Sequence, residues 1–386
     1  MEIPYGRQDI QDSDIEAVVA VLKSDYLTQG PTIPNFENAV KKYCKSKHAV
    51  AVNSATSALH ISLLALGVGK GDCVWTSPNT FVATANSALY CGADVDFVDI
   101  DSHTYNISVQ ALATKLEIAA QNGSVPKVVI PVHLTGQPCD MQAIHALSVE
   151  YGFYIVEDAS HAIGGRYRNG SIGNCEFSDI TVFSFHPVKI VTTAEGGIAL
   201  TNDNNLAMRL QLFRSHGITR DPDLMTHEPD GPWYYQQVEL GYNYRMTDLQ
   251  AALGLSQMER LDDYIKRRHA IAERYNNELE NLPFKLPQQM EYGYSSYHLY
   301  VIRINLSAKV AHKAIFEELR ENGILVNLHY IPVHTQPYYQ KLGFRVGDYP
   351  EAEAYYREAI SLPMYPNLSD DEQGYVIRTL QKVMAK

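Results

Sequence analysis

The stretch "ITVFSFHPVKIVTTAEGGIALTN", residues 180–202, contains two apolar runs and, between them, a turn-rich segment with a single lysine, Lys189. The runs "ITVFSF" (180–185) and "GIALTN" (197–202) are short and apolar on both faces, which predicts buried strands. An apolar environment lowers the pKa of an amine and leaves part of it uncharged, as a lysine nucleophile requires. The stretch therefore predicts two core strands that flank a reactive lysine.

Five similar apolar runs precede this stretch and extend the pattern into a larger sheet. They are "HAVAVNS" (48–54), "CVWTSP" (73–78), "DVDFVDI" (94–100), "KVVIPVHL" (127–134) and "FYIVEDA" (153–159). Helical patterns such as "ATSALHISLLALG", "TFVATANSALYCG" and "DMQAIHALSVEYG" separate many of them. Alternation of this kind predicts a mainly parallel α/β sheet that is covered on both faces.

The pattern changes after a long, charged and amphipathic stretch, "RMTDLQAALGLSQMERLDDYIKRRHAIAERYNNELENLP" (245–283). The remainder has a strand-like run, "HLYVIRIN" (298–305), and two helical patterns, "AHKAIFEELRENG" (311–323) and "DDEQGYVIRTLQKVMAK" (370–386). We therefore predict a large α/β domain with its N-terminal segment over residues 1–260, and a smaller C-terminal α+β domain over residues 261–386.

Composition excludes several classes of function. The 386 residues carry a net charge of −12, and the short basic run Lys266-Arg267-Arg268 is expected to be a solvated helix face, so nucleic acid is not an expected partner. Five scattered cysteines without a CxxC pair indicate a reducing compartment and no structural zinc. Without an apolar leader or a run of ~18–20 apolar residues, we expect a cytoplasmic protein that does not enter a membrane.

An acid and a lysine follow two of the predicted strands. Asp158 ends the run "FYIVED", and Lys189 lies beyond the carboxyl end of another strand, where ligands bind in open α/β sheets. This pair suggests pyridoxal phosphate, with the lysine as the Schiff-base residue and the acid as the partner of the pyridinium nitrogen. Taken alone, Asp158 is more typical of a helix N-cap or a turn than of a catalytic acid.

Two further segments match the needs of this cofactor. In "VNSATSALH" a strand ends where small hydroxylated residues open a helix, so backbone amides with Thr56 and Ser57 would bind a phosphate. Phe81 follows another strand end and would stack on the ring. No metal site is expected, because His329 and His334 have no paired ligands nearby in the sequence. Dinucleotide, P-loop and GxSxG motifs do not occur.

Together these features resemble the DegT/DnrJ/EryC1/StrS family of sugar nucleotide aminotransferases, along nearly the whole chain. The motifs that carry the resemblance are "LTQGP" (27–31), "NSATSALH" (53–60), "PVHLTGQPCDM" (131–141), "EDASHAIGG" (157–165), "SFHPVK" with "EGG" (184–197) and "GYNYRMTDLQAALG" (241–254). The resemblance implies the fold type I architecture of pyridoxal phosphate-dependent aminotransferases, with a seven-stranded large domain. It also implies a homodimer whose active sites are shared between subunits.

The resemblance also implies individual roles. Lys189 would be the catalytic lysine, Asp158 the pyridinium partner and Phe81 the stacking residue, and His161 would lie near the ring oxygen of the cofactor. The phosphate would be held by a set of small polar residues: Thr56, Ser57, Ser184 and, from the other subunit, Asn243. The nucleotide sugar would be bound by Tyr5, Thr28, His186, Arg214, His329 and Tyr330. Gly196 and Gly197 would let the backbone pass close to the cofactor.

Four runs resemble more narrowly the branch of this family that works in pseudaminic acid biosynthesis. They are "VWTSPNTFVATANSALYCGADVDFVDID" (74–101), "SHGITRDPDLM" (215–225), "GPWYYQQVELGYNYRMTD" (231–248) and "VNLHYIPVHTQPYY" (326–339). The implied reaction transfers an amino group from L-glutamate to C4 of UDP-2-acetamido-2,6-dideoxy-β-L-arabino-hexos-4-ulose, a UDP-linked 4-keto-6-deoxy-N-acetylhexosamine.

Three alternatives remain open at this point. One is amination of another 4-keto or 3-keto sugar nucleotide, because pocket shape sets the choice between epimers. Another is a sugar dehydratase of the same fold, in which a histidine replaces the lysine, so Lys189 argues against it. The last is a non-catalytic regulatory protein that binds the cofactor.

Overall fold

The computed structural model describes residues 2–304 and 312–385. Most of its strands are short, and in chain order they are β1 Ile3–Pro4, β2 His48–Val52, β3 Cys73–Thr76, β4 Asp94–Phe97, β5 Val128–Ile130, β6 Tyr154–Asp158, β7 Arg166–Tyr167, β8 Gly170–Ser171, β9 Ile180–Ser184, β10 Gly197–Thr201, β11 Ile218–Thr219, β12 Gln236–Gln237, β13 Phe284–Lys285, β14 Gly293–Tyr294, β15 Tyr300–Ile304, β16 Ile324–Leu325 and β17 Ala359–Leu362.

The helices are distributed along the whole chain. In order they are α1 Asp12–Leu22, α2 Thr32–Cys44, α3 Ala55–Ala65, α4 Val82–Tyr90, α5 Val109–Asn122, α6 Met141–Tyr151, α7 Asn204–Arg214, α8 Asp248–Met258, α9 Leu261–Leu279, α10 His312–Glu321, α11 Pro337–Gln340, α12 Pro350–Glu358 and α13 Asp370–Met384. Short 3₁₀ turns occur at Leu134–Gly136, Pro222–Leu224 and Val333–Thr335. Within the described ranges, none of these helices has the length and apolar character that a bilayer crossing requires.

The central feature is a seven-stranded sheet with the order β2-β10-β9-β6-β5-β3-β4. All neighbouring pairs from β9 to β4 are parallel, whereas β10 runs antiparallel to both β9 and β2. Its seven strands are the seven apolar runs predicted from the sequence. The predicted α/β class and mainly parallel sheet are therefore confirmed.

Both faces of this sheet are buried, and strand β2 shows why its run is apolar throughout. Val50 and Val52 face one core cluster, which also contains residues of α3, α4 and α7. Ala49 and Ala51 face the opposite cluster, which contains residues of α2 and α8. Alternate side chains of one strand thus enter two separate cores, as expected for a sheet covered by helices on both sides.

The long amphipathic stretch after residue 245 forms two helices. Helix α8 ends at Met258 and α9 begins at Leu261, so residues 259 and 260 interrupt the pattern. The expectation of a solvated basic face is wrong for Arg268, which is buried and donates from one guanidinium nitrogen to the carbonyls of Tyr297, His298 and Met364. A basic residue in an amphipathic helix can face inward when backbone carbonyls supply its hydrogen bonds.

The C-terminal part has a core of its own, formed by α9, α10, α13, β15 and β17. Ile3 of the N-terminal strand β1 also belongs to this core, and β1 pairs with β16. The proposed boundary at residue 260 stays a prediction. Residues Asn305, Ala311 and Lys386, at the edges of the predicted C-terminal elements, lie outside the described residues.

Candidate active site

A cavity of about 590 Å³ lies beyond the carboxyl ends of β6 and β9, next to the first turns of α3 and α4. Open α/β sheets bind their ligands at such strand ends. The cavity brings together most of the predicted site residues. Those that line it are Tyr5, Thr56, Phe81, Asp158, His161, Ser184, His186, Lys189, His329 and Tyr330.

Lys189 lies in the loop between β9 and β10. Its backbone amide donates to the carbonyl of His186 at 2.9 Å, and the amide of Thr193 donates to the carbonyl of Phe185, which holds the loop in a compact turn. Burial lowers the pKa of the Lys189 amine to about 8, although the charge of Asp158 acts in the opposite direction. The amine is therefore partly uncharged near neutral pH, as the sequence predicts.

Asp158 ends strand β6 with both carboxylate oxygens hydrogen-bonded. The amide of Ser160 donates to Oδ1 at 3.1 Å, and the hydroxyl of Thr84 in α4 donates to Oδ2 at 2.7 Å. Because a carboxylate can only accept, Thr84 must accept in turn from Thr80, whose hydroxyl oxygen lies 2.8 Å away. This buried carboxylate is fixed in place and can pair with a cationic group in the cavity.

The neighbouring acid, Glu157, points to the other side of β6. Its carboxylate lies 2.7 Å from Nε2 of His133, and the hydroxyls of Thr181 and Ser178 donate to it. Burial alone would raise the pKa of Glu157, but these hydrogen bonds hold it below its usual value. The strand therefore carries one acid on each face, and only Asp158 lines the cavity.

Helix α3 begins at the edge of the cavity. Ser54 is its N-cap, and the Ser54 side chain accepts from the amide of Ser57 at 3.1 Å. The Ser57 amide was predicted to donate to a phosphate, but its hydrogen is already used in this hydrogen bond to Ser54. The amides of Ala55 and Thr56 belong to the first turn, whose donors have no partner within a helix, and Thr56 lines the cavity.

The two glycines after Glu195 allow close packing between parts of this chain. A Cβ on Gly197 would lie 2.5 Å from the backbone nitrogen of Ala55, so only glycine lets β10 start against the first turn of α3. A Cβ on Gly196 would lie 2.1 Å from the hydroxyl of Thr193. The close neighbours of these glycines are thus protein atoms, and their expected closeness to a cofactor stays a prediction.

Four histidines line the cavity, and three of them are buried: His161, His298 and His329. Burial and the charge of Lys189 hold the pKa of His161 well below its usual value. Burial and Lys189 lower the pKa of His329 to about 3. The ring centroids of His161 and His298 are 4.4 Å apart. Burial also holds the pKa of His298 well below its usual value, so all three buried rings are neutral at physiological pH.

Four predicted residues do not line the cavity in this chain: Ser57, whose amide caps α3 as described above, Thr28, Arg214 and Asn243. Thr28 is exposed and forms an isolated bridge with Thr247. Arg214 donates to Glu37 at 2.7 Å. Asn243 forms an isolated bridge with Ser215 and is exposed, which leaves it accessible to another molecule. Their assignments stay predictions.

Several residues of the cavity wall were not predicted. Thr84 is the clearest case, because its hydroxyl donates a hydrogen bond to Asp158, which is 74 residues away in the sequence. Its only sequence signal is its hydroxyl, four residues after that of Thr80, which precedes the N-cap of α4. His298 and Asn327 also line the cavity. Asn327 lies in the run 326–339 that carries the narrower resemblance but was not singled out there, and no motif distinguishes His298.

The residues present fit pyridoxal phosphate. The cofactor needs an amine that loses its proton easily, an ionised acid for its ring nitrogen and donors for a dianionic phosphate. Lys189, Asp158 and the first turn of α3 supply these groups around one cavity. Phe81, with 57% of its surface exposed, supplies an aromatic face there.

Comparison with known proteins agrees with this site. The model of the DegT/DnrJ/EryC1/StrS aminotransferase family matches residues 8–381. The spore coat polysaccharide biosynthesis protein SpsC of Bacillus subtilis is 40% identical, over 99% of this chain and 97% of its own. The UDP-4-amino-4,6-dideoxy-N-acetyl-beta-L-altrosamine transaminase of Campylobacter jejuni is 36% identical, over 100% of this chain and 98% of its own.

Two solved structures share the whole fold. The aminotransferase PseC of Helicobacter pylori, involved in the biosynthesis of pseudaminic acid, has a TM-score of 0.91 at 32% identity and covers 100% of both chains. The PLP form of Spr1654 from Streptococcus pneumoniae has a TM-score of 0.88 at 31% identity, over 100% of this chain and 99% of its own. The chain thus belongs to the DegT/DnrJ/EryC1/StrS aminotransferase family and is a sugar aminotransferase that depends on pyridoxal phosphate.

Proposed function

We propose that the enzyme transfers the amino group of L-glutamate to C4 of UDP-2-acetamido-2,6-dideoxy-β-L-arabino-hexos-4-ulose. The products would be UDP-4-amino-4,6-dideoxy-N-acetyl-β-L-altrosamine and 2-oxoglutarate. The Campylobacter relative of that name supports this substrate, because it is 36% identical along the full length of both chains. The PseC structure supports it further, with a TM-score of 0.91.

The observation that carries the proposal is the meeting of Lys189 and Asp158 in one cavity. When bound, pyridoxal phosphate supplies an electron-withdrawing ring that carries the amino group between the two substrates. The uncharged fraction of Lys189 acts as the base that takes a proton from the α-carbon of the amino donor. The same amine returns a proton to C4 of the sugar, so one residue acts as base and as acid.

The remaining residues bind and orient. Asp158, held by Ser160 and Thr84, stays in a fixed position on the wall of the cavity, where it would pair with the ring nitrogen of the cofactor. The first turn of α3 and Ser184 would bind the phosphate, and Phe81 would cover one face of the ring. We further propose a homodimer in which the exposed Asn243 reaches the phosphate of the partner's site.

A second candidate is the same chemistry on another 4-keto or 3-keto sugar nucleotide. The relative SpsC supports it, because its name refers to spore coat polysaccharide and its identity of 40% exceeds that of the Campylobacter transaminase. Substrate choice between hexoses depends on a few contacts in the sugar pocket and can change without a change of fold.

The test is incubation of the holoenzyme with L-glutamate and the proposed 4-keto sugar nucleotide, followed by mass spectrometry and NMR of the product. We expect a gain of an amino group, with the C4 configuration of the altrosamine. The Lys189→Ala variant should give no product. Amination of a different keto sugar nucleotide only, or the opposite C4 configuration, would replace the first candidate by the second, and turnover by Lys189→Ala would refute both.

A further inference from the structure

The hydroxyl group of Tyr330 lies at the end of a hydrogen-bond chain that begins at a backbone amide. The nitrogen of Thr135 is 3.2 Å from Nδ1 of His161, and Nε2 of His161 is 3.1 Å from the hydroxyl oxygen of Tyr330. A backbone amide can only donate, so Nδ1 must be the acceptor. A neutral imidazole then carries its single hydrogen on Nε2 and donates it to Tyr330.

The surroundings keep His161 in this state. A second proton would have to enter at Nδ1, where the Thr135 amide already points. The charge of Lys189 and the burial of the ring also oppose protonation and hold the pKa of His161 low. The ring of His298 packs against that of His161, and the hydroxyl of Ser296 donates to the His161 carbonyl at 2.7 Å. The orientation of the imidazole is therefore fixed from several sides.

The direction of the Tyr330 hydrogen follows from this chain. The phenolic oxygen already accepts from His161, so its own hydrogen must point elsewhere. Within residues 2–304 and 312–385, no other hydrogen bond involves this hydroxyl group, and the Tyr330 side chain lines the cavity. Burial and the charge of Asp158 raise the pKa of Tyr330, so the phenol keeps its hydrogen throughout the physiological range. The hydroxyl is thus a donor that is free for a ligand in the cavity.

We propose that Tyr330 is a further catalytic residue, whose hydroxyl donates a hydrogen bond to an oxygen atom of the bound reactants. The acceptor is the phenolic oxygen attached to the cofactor ring, which carries negative charge, or the carbonyl oxygen of the ketone, which gains negative charge when an amine adds to it. This inference rests on the proposed function and adds to it a hydrogen-bond donor whose orientation is fixed. His161 then acts as a positioning residue through Tyr330.

The first experiment tests the direction of the chain without any cofactor. In ¹⁵N-histidine-labelled apoprotein, NMR should show His161 protonated at Nε2 and unprotonated at Nδ1 between pH 6 and pH 8, with the signal assigned by its loss in His161→Gln. The Nδ1–H tautomer or an imidazolium at pH 7 would overturn the proposal, whatever the enzyme's substrate. This result is independent of which sugar the enzyme aminates.

The second experiment uses the Tyr330→Phe holoenzyme, which keeps the ring and loses only the hydroxyl. We expect single-turnover rates to fall roughly 10²- to 10³-fold, as for the loss of one donor to a developing oxyanion. A changed absorption spectrum without substrate would identify the cofactor oxygen as the acceptor, and an unchanged spectrum with slow reaction of the ketone would identify the ketone oxygen. The proposal would be overturned if the absorption spectrum were unchanged and the single-turnover rates stayed within twofold of those of the wild type. The control is Tyr338→Phe, which alters a side chain that is 59% exposed outside the cavity and should change neither.

Discussion

Replacing Lys189 by methionine should stabilise the cofactor-free protein while it abolishes catalysis. Burial lowers the pKa of this amine from 10.5 to about 8. At ~1.4 kcal/mol per pH unit, the folded state therefore carries a cost of about 3 kcal/mol for the charged lysine. Methionine has a similar length and no charge, so Lys189→Met removes that cost.

The sign of the pH dependence follows from the two pKa values. Below pH 8 the amine is mostly charged in the folded chain and fully charged in the unfolded chain, so the folded chain bears most of the cost. Between pH 8 and the unfolded pKa of 10.5 the folded chain loses its proton first, so its stability rises with pH. The advantage of Lys189→Met should therefore be largest at neutral pH and disappear near pH 10.5.

Thermal unfolding of the apoproteins measures this difference. With an unfolding entropy of ~2.1 cal/mol/K per residue, about 3 kcal/mol corresponds to roughly 4 °C in Tm for a chain of this length. The control is Lys70→Met, which changes an exposed lysine in a turn and should leave Tm unchanged within about 1 °C. An equal or lower Tm for Lys189→Met at pH 7, or a gain that does not shrink towards pH 10.5, would refute a perturbed lysine in this cavity.

Three other substitutions test residues whose hydrogen bonds or close packing hold the cavity and its neighbouring helices in place. Thr84→Val removes one of the two donors to Asp158, worth ~1.5–3 kcal/mol for a charged acceptor, so cofactor affinity measured by fluorescence titration should fall roughly tenfold or more. Gly197→Ala forces a Cβ to 2.5 Å from the start of α3 and should cost about 1–3 kcal/mol and weaken cofactor binding, whereas Gly69→Ala, with no atom within 4 Å, should be neutral in both assays. Arg268→Leu leaves buried carbonyls without their donor, and a loss of about 3 kcal/mol should appear as a lower Tm; an unchanged Tm would contradict the described contacts.

The elements of the large sheet were predictable because each strand is apolar on both faces. That property depends only on local sequence, as the alternation of Val50 and Ala51 between two cores shows. The order of the strands was not predictable in the same way. Strand β10 inserts between β2 and β9, an arrangement that depends on contacts between segments far apart in the chain.

The site was predictable to the extent that its residues follow strand ends. Lys189 and Asp158 could be identified because reactive groups at such positions meet at one edge of the sheet. Thr84 looks like an ordinary helix residue until tertiary packing brings it to Asp158. Arg268 was misjudged because helical periodicity describes which side chains share a face and says nothing about carbonyls from other segments.

The pair of acids at the end of β6 has a consequence for how insertions and deletions act on this enzyme. Because Glu157 and Asp158 face opposite sides, a shift of the strand by one residue would turn each side chain to the other face. If the strand moved forward by one residue, Glu157 would enter the cavity and the apolar Val156 would face His133. A deletion of one residue within β6 therefore damages the core and the catalytic apparatus together, so evolution can vary the loops around this strand far more easily than the strand's own length.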